Sequence, residues 1–512
     1  MSGGFVSLVG AGPGDPGLIT VKAMERLQQA DVVIYDYLAN SELLNYCRPD
    51  AERIYVGKQA KRHTLSQDEI NALLLEHGRV GKRVVRLKGG DPYIFGRGGE
   101  EADVLQQAGI AWEVIPGISS GVAAPAYAGI PVTHRELASS VAFITGHEDP
   151  AKPETALNWS TLATAIDTLV FYMGVGNLRE IAEKLVAHGR AAETPVAVIR
   201  WGTMPAQTTV TGTLATIASD VEAAGLKPPA ITVVGEVVRL RERLRWFDNR
   251  PLWGKRIVVT RTREQASALS QQLRNAGAEP IEYPVIAFAP PTDWTPLDNA
   301  LKQLEQYDWM IFTSVNGVRF TVDRMRELGI DVMQLKHRKL GAIGPATAAE
   351  LQQAGLQAAF VPREFVAEAV IAQIGDVQGM RILLPRADIA REVLVDGLQA
   401  KGATVDNVVA YRTVLGEASS DVPQLLRAGQ IDAVTFTSSS TVKNFFARLE
   451  QSGMTRDEAG ALLADVTIAA IGPITAKTAR DYGLSVTIEA EKYTIDGLMS
   501  ALVEQLGLEN VT

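Results

Sequence analysis

Two runs in the first hundred residues gather side chains and backbone that could do chemistry. The first, Gly10-Ala-Gly12-Pro13-Gly14-Asp15-Pro16-Gly17, lies between an apolar run suited to a strand and a helical pattern. Glycine at such a turn lets backbone approach a ligand closely and adopt positive φ. A dinucleotide fingerprint would need glycine where Asp15 stands, and Pro13 lacks the amide that a pyrophosphate would use. The run therefore does not read as a nicotinamide-cofactor loop, and a plain strand–helix turn explains it equally well. The second run is Arg86-Leu-Lys88-Gly89-Gly90-Asp91-Pro92-Tyr93-Ile94-Phe95-Gly96-Arg97-Gly98-Gly99-Glu100-Glu101. It carries two cations at a strand end into a glycine-rich loop with an Asp-Pro turn. Close backbone contact with a polar ligand accounts for so many conformationally special residues better than a structural loop does. Downstream, Ile115-Pro-Gly-Ile-Ser119-Ser120-Gly121 offers hydroxyls at a strand-to-helix junction, and Pro125-Ala-Tyr-Ala-Gly-Ile-Pro-Val-Thr-His134-Arg135 follows.

The second half shows no catalytic triad, phosphate loop or metal-ligand spacing, but it repeats itself. Arg256-Ile-Val-Val-Thr-Arg261 recurs as Arg381-Ile-Leu-Leu-Pro-Arg386, and Ala276-Gly-Ala278 as Lys401-Gly-Ala403. Phe312-Thr-Ser314 recurs as Phe436-Thr437-Ser438, and Ala342-Ile-Gly-Pro-Ala-Thr-Ala348 as Ala470-Ile-Gly-Pro-Ile-Thr475-Ala476. Aromatic-x-x-acid segments follow at Phe365 and Tyr493. The offset runs from 124 (Ser314 to Ser438) to 128 (Ala342 to Ala470). A repeat of this length implies two similar lobes, and ligands favour the clefts between lobes. Hydroxyls and free amides at these strand ends could take carboxylates. Helix capping explains the Ser and Thr just as well.

These residues need positioning elements, and the chain supplies them. Phe5–Val9, Val32–Tyr35, Val84–Leu87, Val141–Thr145 and Leu169–Tyr172 read as buried strands, and Val21–Ala30 and Glu100–Gln107 as helices. The alternation predicts an α/β fold with parallel or mixed sheets. At 512 residues, 46% hydrophobic and 21% charged, the chain should form about three to four folding units. The net charge of −9 argues against a nucleic-acid surface. Cys47 stands alone, so no internal disulfide forms, and the six histidines lack zinc spacing. Neither a membrane-spanning run nor a signal peptide is expected, which places the protein in the cytoplasm. Arg239–Gly254, rich in arginine, reads as an interdomain linker.

The first-half segments, with Ile144-Thr-Gly-His147, Phe171-Tyr-Met173-Gly174 and Val234-Gly-Glu236, resemble the uroporphyrinogen-III C-methyltransferases of siroheme and cobalamin synthesis. The resemblance covers residues 1–245. It implies a two-domain tetrapyrrole methylase, homodimeric through this half, with S-adenosylmethionine (SAM) in the interdomain cleft and no metal. Carried over by position, the SAM contacts are Pro13, Gly89, Gly90, Asp91, Ile94, Ser119, Ser120, Met173 and Gly202. Many relatives have Thr where Ser119 stands, which keeps the hydroxyl. The family's general base corresponds to Asp36 and its proton donor to Lys58. Read without the family, Asp36 is a helix cap and Lys58 a surface lysine.

After a linker at 246–254, residues 255–505 resemble uroporphyrinogen-III synthase, through Thr260-Arg261, Tyr411-Arg-Thr413, Phe436-Thr-Ser438 and Ile471-Gly-Pro-Ile-Thr475. That resemblance implies two lobes joined by a two-stranded linker: 255–285 with 415–505, and 286–412. The synthase closes hydroxymethylbilane, a linear tetrapyrrole, while inverting its last ring. Tyr411 corresponds to the tyrosine implicated in hydroxyl departure. In the alternating run Val408–Thr413 its side chain should face the cleft, with 410 and 412 opposite. The substrates are polycarboxylates, so Arg86, Lys88, Arg97 and Arg135 in the first half are candidate partners. In the second half the candidates are Arg261, Arg386, Arg391, Thr437, Ser438 and Thr475. One chain would thus make uroporphyrinogen III and methylate it at C2 and C7 to precorrin-2. The competing reading keeps the methyltransferase and makes the second half a non-catalytic tetrapyrrole-binding regulator.

Overall fold

The computed structural model of the chain describes residues 4–57, 65–146, 157–260, 263–390, 392–416 and 421–507. The chain divides into two compact units. One is Met1–Gly254 with Arg274–Glu279 and Leu506–Thr512; the other is Lys255–Leu273 with Pro280–Gln505.

The first unit holds two five-stranded sheets. Strands β1 (Phe5–Gly10), β2 (Val32–Tyr35), β3 (Glu52–Tyr55), β4 (Arg83–Lys88) and β5 (Ala111–Ile115) form a parallel sheet in the order β3-β2-β4-β1-β5. Val6, Leu8 and Val9 of β1 are fully buried, as expected of a parallel sheet covered on both faces. Helix Val21–Gln29 starts where the Thr20 side chain accepts from the Ala23 amide. Helix Gln67–Arg79 starts on a reciprocal Ser66–Glu69 capping box. The second sheet is mixed. It comprises β6 (Val141–Thr145), β7 (Thr168–Tyr172), β8 (Pro195–Arg200), β9 (Thr208–Thr213) and β10 (Ala230–Val234), in the order β6-β7-β10-β8-β9. Its only parallel pair among the described residues is β6 with β7.

The stretch after residue 240 is not a loose linker. Trp246 and Phe247 pack their rings on Tyr127 at centroid distances of 4.9 and 4.7 Å, and Arg250 lies over both rings. Trp246 donates its indole N–H to the Ala126 carbonyl, and Arg241 pairs with Asp248. Composition suggested a linker because arginine dominates. Stacked on aromatic rings, Arg250 serves packing instead, and the compact first unit runs through Gly254.

The second unit also holds two five-stranded sheets. Its strands are β11 (Arg256–Val259), β12 (Glu279–Glu282), β13 (Ala287–Ala289), β14 (Trp309–Phe312), β15 (Lys339–Ala342), β16 (Arg381–Ala387), β17 (Thr404–Val414), β18 (Ala433–Phe436), β19 (Thr467–Ala470) and β20 (Val486–Glu489). They order as β12-β11-β18-β19-β20 and β13-β17-β16-β14-β15. The sequence repeat is a structural one. Strands β14 and β18 each feed a 13-residue helix, Val315–Glu327 and Ser439–Gln451. Strands β15 and β19 each feed a 9-residue helix with proline in its first turn, Pro345–Gln353 and Pro473–Asp481. The antiparallel pair β13–β17 carries Phe288, which packs against the cores of both lobes.

Candidate functional sites

In the first unit, the chemistry-bearing loops meet at the carboxyl ends of β1, β4 and β5. Gly12 and Gly90 exchange backbone hydrogen bonds of 3.2 and 2.7 Å. A Cβ on Gly10 would lie 2.4 Å from the Gly117 amide nitrogen, and one on Gly117 would lie 2.2 Å from the Gly90 carbonyl oxygen. Only glycine permits this three-way backbone contact. Gly90 itself has φ 68°, and a Cβ there would stand 3.9 Å from Ser119 Cα and from the Ser120 amide nitrogen, at the amino end of helix Ser120–Tyr127. Asp91 ties the loops together: its carboxylate accepts from the amides of Tyr93 and Gly117. Gly89 packs on Leu38, where a Cβ would lie 2.4 Å from the leucine Cβ.

Residues of the second sheet complete this site. The Ser119 hydroxyl lies 2.6 Å from the hydroxyl of Tyr172, which also accepts from the Gly121 amide at 2.9 Å. Burial pushes the Tyr172 phenol up, against those hydrogen bonds. Next to it Met173 takes φ 56° and is 54% exposed. Gly202 packs so tightly on Ala124 that a Cβ would lie 2.3 Å from the alanine Cβ. Its neighbours Trp201 and Thr203 have φ 49° and 74°. Thr203 Oγ1 accepts from the Asp15 amide, while Asp15 accepts the Tyr127 hydroxyl proton at 3.0 Å and the Gly17 amide at 2.8 Å. Asp15, which ruled out a dinucleotide loop, is thus the clamp on the first glycine loop, beside the half-buried Pro13. Ile94 is exposed on the rim beside Phe95, whose ring lies 4.9 Å from that of Tyr172.

Asp36 follows β2 and is half-buried. Its Oδ1 accepts from the Leu38 amide at 3.1 Å, and its Oδ2 from Arg86 at 3.1 Å. Both the capping geometry and an anchored carboxylate are therefore present. Lys58, Arg261 and Arg391 lie outside the described residues.

Two expected substrate cations of the first half are committed elsewhere. Arg86 and Lys88 are 3% and 4% exposed and both hydrogen-bond Glu101 Oε1, at 3.2 and 2.8 Å. Glu101 is fully buried, and its Oε2 has no hydrogen-bond partner among the described residues. Burial and then the Arg86 charge push Lys88 below the ordinary lysine value, while Glu101 pulls it back. Arg86 also reaches the carbonyls of Ile34 and Leu87, so its role is to hold Asp36, not a substrate. Arg97 stands at φ 57° and forms an exposed ion pair with Glu100. Arg135 is exposed, with no ion pair among the described residues.

In the second unit Tyr411 is 6% exposed. Its ring stacks on Phe320 and meets Phe288 edge-on, and its hydroxyl lies 3.0 Å from Ser314 Oγ. Burial raises the phenol, partly offset by the Ser314 bond. The strict alternation expected here fails. Strand pairing runs Arg386 to Val409 and then Ala387 to Tyr411, so Ala410 is a bulge that turns Tyr411 into the same core as Ala410. Ser314 and Ser438 cap helices, accepting from the Gly317 and Thr441 amides. Thr437 is half-buried beside its cap. Thr475 is 5% exposed and faces inward from its helix, as does Thr347 in the other copy, so neither presents a hydroxyl to solvent. Arg386 is 3% exposed and bonded to Asn407 and Glu392, which takes it from the substrate candidates as well.

Sequence reasoning missed Glu101, Tyr127, Tyr172 and Thr203. All four lie within or beside the motifs it singled out, but their partners are 13 to 188 residues away in sequence.

Among the described residues, no group of three or more His, Cys, Asp or Glu side chains could hold a metal ion. Among them too, no helix is long and apolar enough to cross a membrane.

Two family models match the chain: tetrapyrrole (corrin/porphyrin) methylases over residues 6–218, and uroporphyrinogen-III synthase HemD over residues 267–500. Fold and site thus define a two-module tetrapyrrole enzyme. The chain is 38% identical over 509 residues to the porphyrin biosynthesis protein HemD of Ruminiclostridium josui, covering 98% of both. It belongs to that family, in which a tetrapyrrole methylase is fused to a uroporphyrinogen-III synthase. Over 244 residues it is 55% identical to an S-adenosyl-L-methionine-dependent uroporphyrinogen III methyltransferase of Methanosarcina barkeri, covering 47% of this chain and 96% of that one. A solved uroporphyrin-III C-methyl transferase from Thermus thermophilus, complexed with S-adenyl homocysteine, is 40% identical. It covers 46% of this chain and 99% of that one, with a TM-score of 0.39.

Proposed function

We propose that the second half cyclises hydroxymethylbilane to uroporphyrinogen III and that the first half methylates it, giving precorrin-2 for siroheme or cobalamin. The observation that carries this reading is the presence of both family matches, in order, in one chain with a full-length relative. The glycine-lined turn suits close approach of SAM: Gly90 carries no side chain where a Cβ would stand 3.9 Å from the Ser120 amide nitrogen, at a helix start. Pro13, Gly89, Gly90, Asp91, Ile94, Ser119, Ser120, Met173 and Gly202 are the residues we assign to it. When bound, SAM supplies an electrophilic methyl group. The protein's part is to orient the tetrapyrrole and to move a proton as ring saturation changes. Asp36, half-open and fixed by Arg86 and the Leu38 amide, is the group we assign to accept that proton. Lys58 is the assigned donor, on the family resemblance.

In the second half, positioning should dominate, since the reaction needs control over which carbon closes the ring. Tyr411 assists hydroxyl departure through the phenol that now rests on Ser314. Arg97 and Arg135 in the first half, and Thr437, Ser438, Arg261 and Arg391 in the second, remain the candidates for substrate carboxylates. The domains we assign are 1–245, extended by its packed tail to Gly254, and 255–505, and the working form is a cytoplasmic homodimer through the methyltransferase half that takes no nucleic acid.

The test is to give the whole protein hydroxymethylbilane, first alone and then with SAM. The expected products are the type III isomer and then its doubly methylated derivative. Spontaneous closure to the type I isomer, with methylation only of supplied uroporphyrinogen III, would leave the second half a regulator.

A further inference from the structure

The repeated lobes share one feature that the proposed reaction has not used. In the segment after the 9-residue helix of each lobe stands an exposed aromatic ring: Phe365, 57% exposed, and Tyr493, 66% exposed. Each rests on the glycine that opens the 9-residue helix of its lobe. A Cβ on Gly344 would lie 3.3 Å from the Phe365 ring, and one on Gly472 would lie 2.8 Å from that of Tyr493. Neither glycine is in the left-handed region: their φ values are −165° and 173°, extended backbone open to any residue. A side chain at Gly472 would displace the ring, and one at Gly344 would press on it. The same pairing in two lobes sets each ring against bare backbone and leaves more than half of the residue exposed.

Position gives the exposed rings a use. Gly344 and Gly472 follow β15 and β19, so both rings sit at the carboxyl edge of a sheet, where open α/β folds bind ligands. Ser314, with Tyr411 on its hydroxyl, ends the neighbouring β14 on that same edge. Aromatic faces stack on flat π systems. Building on the synthase reading, we propose that Phe365 and Tyr493 are substrate-contacting residues. Each stacks one pyrrole ring of the linear tetrapyrrole, one in each lobe, and together they hold the chain for inverted closure.

The experiment uses the full chain and hydroxymethylbilane, with Phe365→Ala, Tyr493→Ala, the double variant, Tyr493→Phe and Gly472→Ala. Each alanine replacement of a ring should raise KM about 3- to 10-fold, the scale of one aromatic contact. Melting temperature and methylation of supplied uroporphyrinogen III should not move. Weakly held substrate closes by itself, so the type I share should rise, most in the double variant. Tyr493→Phe should behave as wild type, and Gly472→Ala, which displaces the ring, should resemble Tyr493→Ala. Wild-type KM and isomer ratio in the double variant would overturn the proposal. So would a lowered melting temperature with KM unchanged, which marks packing alone. A wild-type protein that makes no type III isomer would overturn the synthase reading and this inference with it.

Discussion

Around the loops of the amino half, five residues other than glycine take positive φ: Phe95, Arg97, Met173, Trp201 and Thr203. In the same unit Arg86, Lys88 and Glu101 are buried together. Among the described residues of the carboxyl half, every positive φ falls on glycine. There the strand-end hydroxyls are held by helix caps. Strained backbone costs on the order of 1–3 kcal/mol per residue and persists only where its surroundings over-determine it. A cap contributes about 1 kcal/mol and can be lost without disturbing its neighbours. The contrast implies a brittle methylase site and a tolerant synthase site, and single substitutions can test that asymmetry.

The largest effect should come from Asp36→Asn. Methyl transfer should fall by roughly 10²–10⁴-fold, with synthase turnover untouched. Methylation near the wild-type rate would reduce Asp36 to the turn-capping role that its Leu38 bond also fits. Next, Glu101→Gln leaves Arg86 and Lys88 buried without their shared countercharge. It should destabilise the methylase half by about 3–5 kcal/mol. Calorimetry should show that unit's transition moving while the other stays; equal movement of both would break the contrast.

A third probe is acid. Burial pushes the Glu113 carboxyl up, but hydrogen bonds from Arg26, Lys22 and Ser7 outweigh it and hold the pKa at about 2, below the ordinary 4.5. A depressed carboxylate stabilises fully above the unfolded value and ceases to do so as pH falls through the folded one. Unfolding of the methylase half should therefore steepen between about pH 4.5 and 2, by about 3 kcal/mol in all. Glu113→Gln should flatten that slope; an unchanged acid profile would remove Glu113 as its cause.

Tyr411→Phe should slow type III formation and raise the type I share, with stability changed by less than about 1.5 kcal/mol. An unaltered rate and ratio would leave Tyr411 a packing residue. Smallest of all, Thr455→Ala, which removes the cap on the Glu458 amide away from the candidate residues, should cost about 1 kcal/mol of stability and leave turnover within a few-fold. A collapse of synthase activity there would show the carboxyl half to be as brittle as the amino half.

Much of the fold was legible because the central strands are unbroken apolar runs. Val32–Tyr35 and Val141–Thr145 fall where the pattern put them. Strands such as β3, with Glu52 and Arg53 exposed, carry no such run and pass unseen. The glycine loops were legible as conformationally special backbone, and at Gly10, Gly90 and Gly117 the glycines let backbone pack directly on backbone. What sequence could not reveal was the use of the charges. Whether Arg86 meets a substrate or Glu101 depends on how the following helix folds back, which no local pattern states. The Ala410 bulge was hidden for a similar reason, since a bulge is a relation between two strands, not a property of one. Arginine-rich composition misled at 241–250 because it cannot distinguish solvated guanidinium groups from stacked ones.

The ring cluster at Tyr127 also bears on where such a gene can be cut or joined. A crossover just before Trp246, natural or engineered, would keep every motif of the methylase and still remove the rings that cover Tyr127. Tyr127 holds Asp15, and Asp15 holds the first glycine loop. The seam at which this module can change partners therefore lies after Gly254. A shorter piece would carry an intact motif in a loop that has lost its brace.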